Sequence, residues 1–334
     1  MATYKGIQGY SVQKLSSDPT ASEAAGQLWY NSTAGKFKIS VAGAGAWSSG
    51  GAMNTERGFQ GGVGTQTAAI CYGGLISVPA GYSRLDNTEK YDGTTWTEVN
   101  DMLVGRSAMA SFGTQTAALG AGGSAGTPGT KSTATETWDG TSWSEVNDLS
   151  NAKDKLAGFG TTSSGLAASG NPSTYFKAAE TWDGTSWAAA TALSTNHSDG
   201  AAAGTSSTIG LVVGGETPAI ADTEVWDGST WTEVANLNTA RYGLLGSGTS
   251  TAALVAGGDP AASSAYTESW NGTAWTEVAD LAVGGLKGGG TWNSSTASLF
   301  AGGFARPPGS SPPVSALTEE WNDPVYAIKT VTVS

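Results

Sequence analysis

Short runs of small and apolar residues, broken by turn residues, make up most of the chain, and helical three-to-four spacing is almost absent. Ala68-Ala-Ile-Cys-Tyr72, Ala117-Ala-Leu-Gly-Ala121 and Ala253-Leu-Val-Ala256 are too short for helices and run into Gly-Gly, so they read as buried strands. A second pattern follows each of them. Glu89-Lys-Tyr91-Asp92-Gly93-Thr-Thr-Trp96 recurs from Glu136, Glu180, Glu224 and Glu268, at steps of 47, 44, 44 and 44 residues. Asp-Gly between two short aromatic-bearing segments predicts a hairpin with a type I′ turn. The block Arg106 to Gly123, matched by Arg57 to Gly74 and Arg241 to Gly258, predicts two further strands per unit.

A period of this size belongs to solenoids and propellers. Gly-Gly or its equivalent stands at Gly73-Gly74, Gly122-Gly123, Ser169-Gly170, Gly214-Gly215, Gly257-Gly258 and Gly302-Gly303. The third-strand aromatic is also sixfold: Tyr91, Trp138, Trp182, Trp226, Trp270 and Trp321. The pattern predicts an all-β fold, a six-bladed β-propeller with four-stranded blades over residues 46–323. After Trp321 the fourth-strand Trp is missing, whereas Trp47 stands ten residues before Arg57 as Trp96 stands ten before Arg106. The N-terminal strand around Trp47 is therefore expected to complete the sixth blade, which pairs two edges that would otherwise stay open.

Arg on the first strand, Gly-Gly ending the second, Glu-x-Tyr/Trp-Asp on the third and Trp on the fourth resemble kelch repeats. The resemblance covers about residues 46 to 323 and implies a kelch-like propeller. Three features depart from it: Ala188-Ala-Ala190 where other units have Thr-Glu-Val, Ser169 for Gly, and the missing Asp-Gly of the sixth unit.

Residues 1–45 lie outside the repeat. Gly26-Gln-Leu-Trp29-Tyr30-Asn31-Ser-Thr-Ala-Gly35-Lys36-Phe-Lys-Ile39 reads as a hairpin. It is similar to a segment found near the start of tailed-phage virion proteins. The resemblance implies an N-terminal anchoring segment, with residues 324–334 adding a C-terminal strand beside it.

Composition narrows the chemistry. The net charge of −12, with only 16 Lys and Arg, speaks against nucleic acid as a partner. No stretch approaches the roughly 20 apolar residues of a membrane helix, and the start lacks a signal-peptide core, so no membrane insertion is expected. One Cys (Cys71) and one His (His197) exclude a disulfide framework, zinc fingers and two-imidazole metal sites. Neither a metal nor a cofactor is expected.

The Trp ladder (Trp47, Trp96, Trp143, Trp187, Trp231, Trp275) reads as packing between blades. The sixfold carboxylates Glu89, Glu136, Glu180, Glu224, Glu268 and Glu319 read as structural, because catalysis uses one or two groups in an asymmetric pocket. Arg57, Arg106, Lys153, His197 and Arg241 align at the first-strand entrance, where pairing with those glutamates is the favoured reading. A rival reading places Arg57, Arg106 and Arg241, with Arg84, Lys131, Lys153, Lys155, Lys177, Lys287 and Arg306, on a basic face around a channel mouth. Asp92, Asp139, Asp183 and Asp227 belong to the opposite face. The connections Leu75–Asn87, Ser124–Ala134 and Phe304–Leu317 are the longest between second and third strands and belong to neighbouring units. They are expected to form one raised sector, with Tyr82, Arg84, Lys131 and Arg306 as contact residues.

No catalytic residue is assigned. Copper radical oxidases share the kelch-type ring but need paired Tyr and His ligands, and Asp-Gly-Thr-Ser-Trp is one residue short of a sialidase box. The resemblances imply a non-enzymatic virion structural protein, a tail fibre or capsid-decorating protein for host attachment. Its expected partners are other virion proteins, through residues 1–45 and the C-terminal strand, and a host-surface glycan. It would be made in the host cytoplasm and located in the virion, and the likeness to fibre proteins allows a trimer. The alternative is a non-viral kelch scaffold that docks another protein; a glycan-active enzyme ranks last.

Overall fold

The computed structural model describes residues 12–332 except 20–26, 43–44, 80, 127–128, 172–176, 217, 260–263, 287, 291–293, 306–313 and 324–325. Its described residues form strands and no helix. The chain divides into two compact units, Trp47–Asn322 and a second made of Met1–Ala46 with Asp323–Ser334.

The larger unit is a propeller-like series of four-stranded antiparallel sheets. The first sheet contains Gly61–Thr65, Ala68–Tyr72, Thr88–Tyr91 and Trp96–Val99; the second, Ala110–Thr114, Ala117–Ala121, Thr135–Trp138 and Trp143–Val146. The third has Ala157–Thr161, Ser164–Ala168, Ala179–Trp182 and Trp187–Ala190. The fourth has Ala201–Ser206, Ile209–Gly215, Ile220–Trp226 and Trp231–Glu233, and the fifth Leu245–Gly248, Ala253–Ala256, Thr267–Trp270 and Trp275–Glu277. In the sixth, Gly289–Gly290, Ala297–Ala301 and Thr318–Asn322 are followed by Ala46–Ser49, a strand from the opposite end of the sequence. Trp47 and Trp321 lie side by side there, ring centroids 5.6 Å apart.

First strands of successive sheets touch one another, and Gly289–Gly290 of the sixth touches Gly61–Thr65 of the first. Their Gly and Ala content follows from this crowding. A Cβ on Gly158 would stand 2.9 Å from the Ala110 Cβ, and one on Gly246 2.5 Å from the Ala202 carbonyl oxygen. Larger residues fill the space between sheets farther out: Val63, Ile70, Tyr72 and Met102 of the first pack with Trp138 and Trp143 of the second.

Links between sheets follow one rule. The fourth-strand Trp donates its indole N–H to a buried third-strand Thr of the preceding sheet: Trp96 to Thr318, Trp143 to Thr88, Trp187 to Thr135, Trp275 to Thr223 and Trp47 to Thr267, all at 3.0–3.2 Å. In the third sheet the acceptor position holds Ala179, and Trp231 turns instead to the Thr191 carbonyl.

The hairpin turns differ from expectation. Tyr91 pairs with Trp96 across four residues, not two, so the turn is not type I′. Asp92 Oδ1 accepts the amides of Thr94 and Thr95, and the same arrangement recurs at Asp139, Asp183 and Asp227 and, without charge, at Asn271. An Asx turn thus replaces the tight primed turn because the side chain supplies the acceptor.

In the smaller unit Leu28–Asn31 and Lys36–Ala42 form the expected hairpin, turning at Gly35 (φ 64°). Tyr326–Thr330 pairs antiparallel with the second of these strands, and Gln13–Leu15 pairs parallel with the first. Asp18 accepts from Trp29 Nε1 at 3.0 Å and Asn31 Nδ2 at 2.6 Å, which holds its carboxyl below the usual range.

Candidate functional site

The buried ion pairs come first, because they decide which charges remain for a ligand. Arg57 Nη2 lies 2.6 Å from Glu89, Arg106 Nη2 2.9 Å from Glu136, Lys153 Nζ 3.1 Å from Glu180, His197 Nε2 3.2 Å from Glu224 and Arg241 Nη2 3.0 Å from Glu268. Each of these five basic side chains is fully enclosed. The Lys153 and Arg241 contacts have ion-pair distances without hydrogen-bond angles. The register-based pairing with the glutamates is therefore what the fold contains. The rival placement of Arg57, Arg106 and Arg241 at a ligand-facing mouth is corrected: each guanidinium is spent inside its own sheet. Arg57 also donates to the Gly73 and Asn87 carbonyls, stitching the second and third strands together.

Burial lowers the pKa of Arg106 and Arg241, with Glu136 and Glu268 opposing it. At Glu224 burial raises the carboxyl, but His197 and the amides of Ser194 and Thr195 outweigh it and hold it at about 2. His197 is closed in by the Gly214 carbonyl at 2.7 Å on one side and Glu224 on the other. Burial likewise pushes the Cys71 thiol up to about 12, far from a reactive thiolate.

Two residues past each of these buried basic residues the backbone turns left-handed: Phe59 (φ 56°), Ala108 (57°), Lys155 (58°), Asp199 (62°) and Gly243 (67°). Their amides form a relay between sheets. Ala108 N donates to Phe59 O at 2.8 Å, Lys155 N to Ala108 O at 2.8 Å, Asp199 N to Lys155 O at 3.0 Å and Gly243 N to Asp199 O at 2.7 Å. These residues line a cavity of about 70 Å³ with Gln60, Ser111, Leu244 and Gly288. Left-handed geometry outside glycine costs on the order of 1 kcal/mol per residue and marks positions held by their surroundings. No sequence signal identifies this relay, since the residues share neither size nor charge.

The charge beside this cavity is mixed. Lys155 is ion-paired with Glu216; burial works against its ammonium, but Glu216 and Asp199 outweigh that and raise its pKa. Burial raises Asp154 above the usual carboxylate range against the pull of Lys131 and Lys155. Of the ten residues expected on a basic face, Arg57, Arg106, Lys153, Lys155 and Arg241 are each within ion-pair distance of a glutamate. Lys287 and Arg306 lie outside the described residues.

The three long connections do meet. Leu75–Val78 and Gly81–Arg84 form a hairpin, and Ser124–Ala125 pairs with Thr130–Lys131. Tyr82, 43 % exposed, lies edge-on to Phe304 with centroids 6.0 Å apart, and Phe59 meets the same ring at 5.6 Å. Arg84 Nη2 donates to Ser124 Oγ at 3.2 Å, and Lys131 Nζ to Asn171 Oδ1 at 2.9 Å. Tyr82, Arg84 and Lys131 are thus joined to neighbouring units through Phe304, Ser124 and Asn171. Tyr175, Phe176 and Trp292 lie outside the described residues, and Tyr266 is exposed. Among the described residues no three His, Cys, Asp or Glu side chains gather as a metal-holding group, and no helix is long and apolar enough to cross a membrane.

No protein-family model matches the chain, and no curated protein matches its sequence.

Proposed function

We propose that the protein is a non-enzymatic virion component of a tailed phage, a tail fibre or capsid-decorating protein. In this reading the larger unit is a closed, six-bladed, kelch-like propeller that displays the long-loop sector for adhesion to a host-surface glycan. The contacts of Tyr82 with Phe304 and of Arg84 with Ser124 carry the reading: three loops from different sheets converge on a scaffold whose Arg57, Arg106, Lys153 and Arg241 face buried glutamates. An exposed aromatic beside a guanidinium and hydroxyls suits a sugar, which offers an apolar ring face and a rim of hydroxyls. Closure is supported by the cyclic order of first-strand contacts and by Trp47 beside Trp321. Phage origin is supported by the resemblance of residues 26–39 to virion segments, and the smaller unit would serve as the anchor.

The non-enzymatic reading is supported by what occupies the reactive side chains: His197 and Cys71 are both enclosed. Exposed Tyr82 and Leu317 in the same sector favour a second reading, docking of a protein. Immunogold labelling of purified particles, paired with a glycan array probed by the wild type and by Tyr82→Ala/Arg84→Ala, tests both. Labelled particles and array binding lost in the double variant are expected. Unlabelled particles would remove the virion reading, and array silence with capture of a host surface protein would favour docking.

A further inference from the structure

Five sheets hold the same buried constellation, and the sixth holds it with one part missing. In each, a third-strand glutamate accepts a backbone amide from the segment before the first strand: Asn54 to Glu89, Leu103 to Glu136, Ser150 to Glu180, Ser194 to Glu224, Asn238 to Glu268 and Ala282 to Glu319, all at 2.7–2.9 Å. Three residues after each amide stands a basic residue: Arg57, Arg106, Lys153, His197 and Arg241. In the sixth sheet that position is Gly285. The backbone confirms the equivalence. Gly258 N donates to the Gly285 carbonyl at 2.9 Å as Gly74 N does to that of Arg106 at 2.8 Å and Gly215 N to that of Arg241 at 3.0 Å.

Glu319 is only 6 % exposed, yet its described partners are the amides of Ala282 and Val283, with no cation among the described residues. Phe300, opposite it in register, fills part of the space a first-strand side chain would take: a Cβ on Gly285 would stand 3.2 Å from its ring. A cavity of about 10 Å³ remains, lined by Glu319, Gly285, Phe300, Ser315 and Gly302. That is enough for one particle of water's size. A buried carboxylate without a compensating cation is costly; four of its five counterparts face an Arg or Lys and the fifth faces His197.

We propose that this cavity binds an ammonium ion, which takes the place that the Lys153 Nζ occupies beside Glu180 in the third sheet. Ammonium matches the cavity in size, donates hydrogen bonds to Glu319 and supplies the missing charge. The site borders the Phe304–Leu317 connection through Ser315 and requires no adhesive role.

The test compares thermal unfolding of the full chain in ammonium chloride and in tetramethylammonium chloride at equal ionic strength. Ammonium is expected to raise the midpoint saturably, by about 2 °C at high occupancy. Glu319→Gln should abolish the rise, and Gly285→Lys, which brings its own ammonium, should make it unnecessary. NMR with ¹⁵N-ammonium provides a readout that does not depend on the variants folding: a bound signal with contacts to the Phe300 ring is expected. Equal wild-type midpoints in the two salts, a rise that persists in Glu319→Gln, or no bound ¹⁵N signal at saturating ammonium would each overturn the assignment.

Discussion

The guanidinium of Arg57 and the carboxylate of Glu89 meet at 2.6 Å in a place neither shares with solvent. Glu89 also accepts the amides of Asn54 and Thr55, so one carboxylate ties the segment before the first strand to the third strand. Removing one partner leaves a desolvated charge, which costs about 3–5 kcal/mol. Arg57→Met and Glu89→Gln are each expected to lose stability on that scale, and the double variant clearly less than the sum. Equilibrium denaturation of the three variants measures the coupling, and additive losses would contradict it.

The indole of Trp143 depends on Thr88 of the preceding sheet, a bond of 3.0 Å. Thr88→Val keeps the shape and strands the donor, for an expected loss of about 1–3 kcal/mol. Ala179→Thr should give Trp231 the acceptor its counterparts have and stabilise the protein by about 1 kcal/mol. Denaturation midpoints, together with the fluorescence of the Trp231 site, report both changes.

Asp92, Asp139 and Asp183 are held at about 2, mainly by the amides and hydroxyls of the two residues that close each turn, and Asp227 is lowered in the same way. A carboxyl whose folded pKa lies below its unfolded value of about 3.9 stabilises the fold above that value. The contribution fades as pH falls from about 4 towards about 2. Asn271 makes the same turn without titrating. Replacing all four aspartates by Asn is therefore expected to flatten the pH dependence of stability in that window while leaving the neutral-pH fold intact. Acid titration followed by circular dichroism checks this, and an unchanged acid slope would contradict it.

Ala108 occupies the left-handed position that Gly243 occupies three sheets farther on, after Lys155 and Asp199 in the relay. Ala108→Gly is expected to raise stability by about 0.5–1 kcal/mol, because relief of the left-handed strain exceeds the added chain entropy. Gly243→Val should lose more than Ala108→Gly gains. Urea midpoints decide, and a destabilised Ala108→Gly would show that the Ala108 methyl packs productively.

Much of this architecture was legible in the chain because it is written as repetition. Glu, Gly-Gly and Trp recur at fixed spacing, so strand identity, the Trp47 strand beside Trp321 and the pairing of Arg57, Arg106, Lys153, His197 and Arg241 with their glutamates follow from register alone. Less legible was the fate of those charges. Alignment puts a cation at a strand entrance, but it does not say whether the side chain turns outward to a ligand or inward to a carboxylate. That choice depends on the distance between strands and on the water excluded from between them. The turns illustrate a second limit: Asp-Gly signalled a reversal, while the four-residue geometry was set by Thr and Ser amides closing on the aspartate.

By itself the sequence determined whatever depends on local preference and periodicity: strands, turns, the number of similar units and the hairpin at Leu28–Ala42. Only the tertiary structure decided what depends on residues far apart in the chain coming together. The meeting of Tyr82 with Phe304, the left-handed relay from Phe59 to Gly243 and the cavity that Glu319 and Gly285 share are of that kind. A strand needs only its own alternation to declare itself, whereas a cavity exists only where several strands fail to fill the same space.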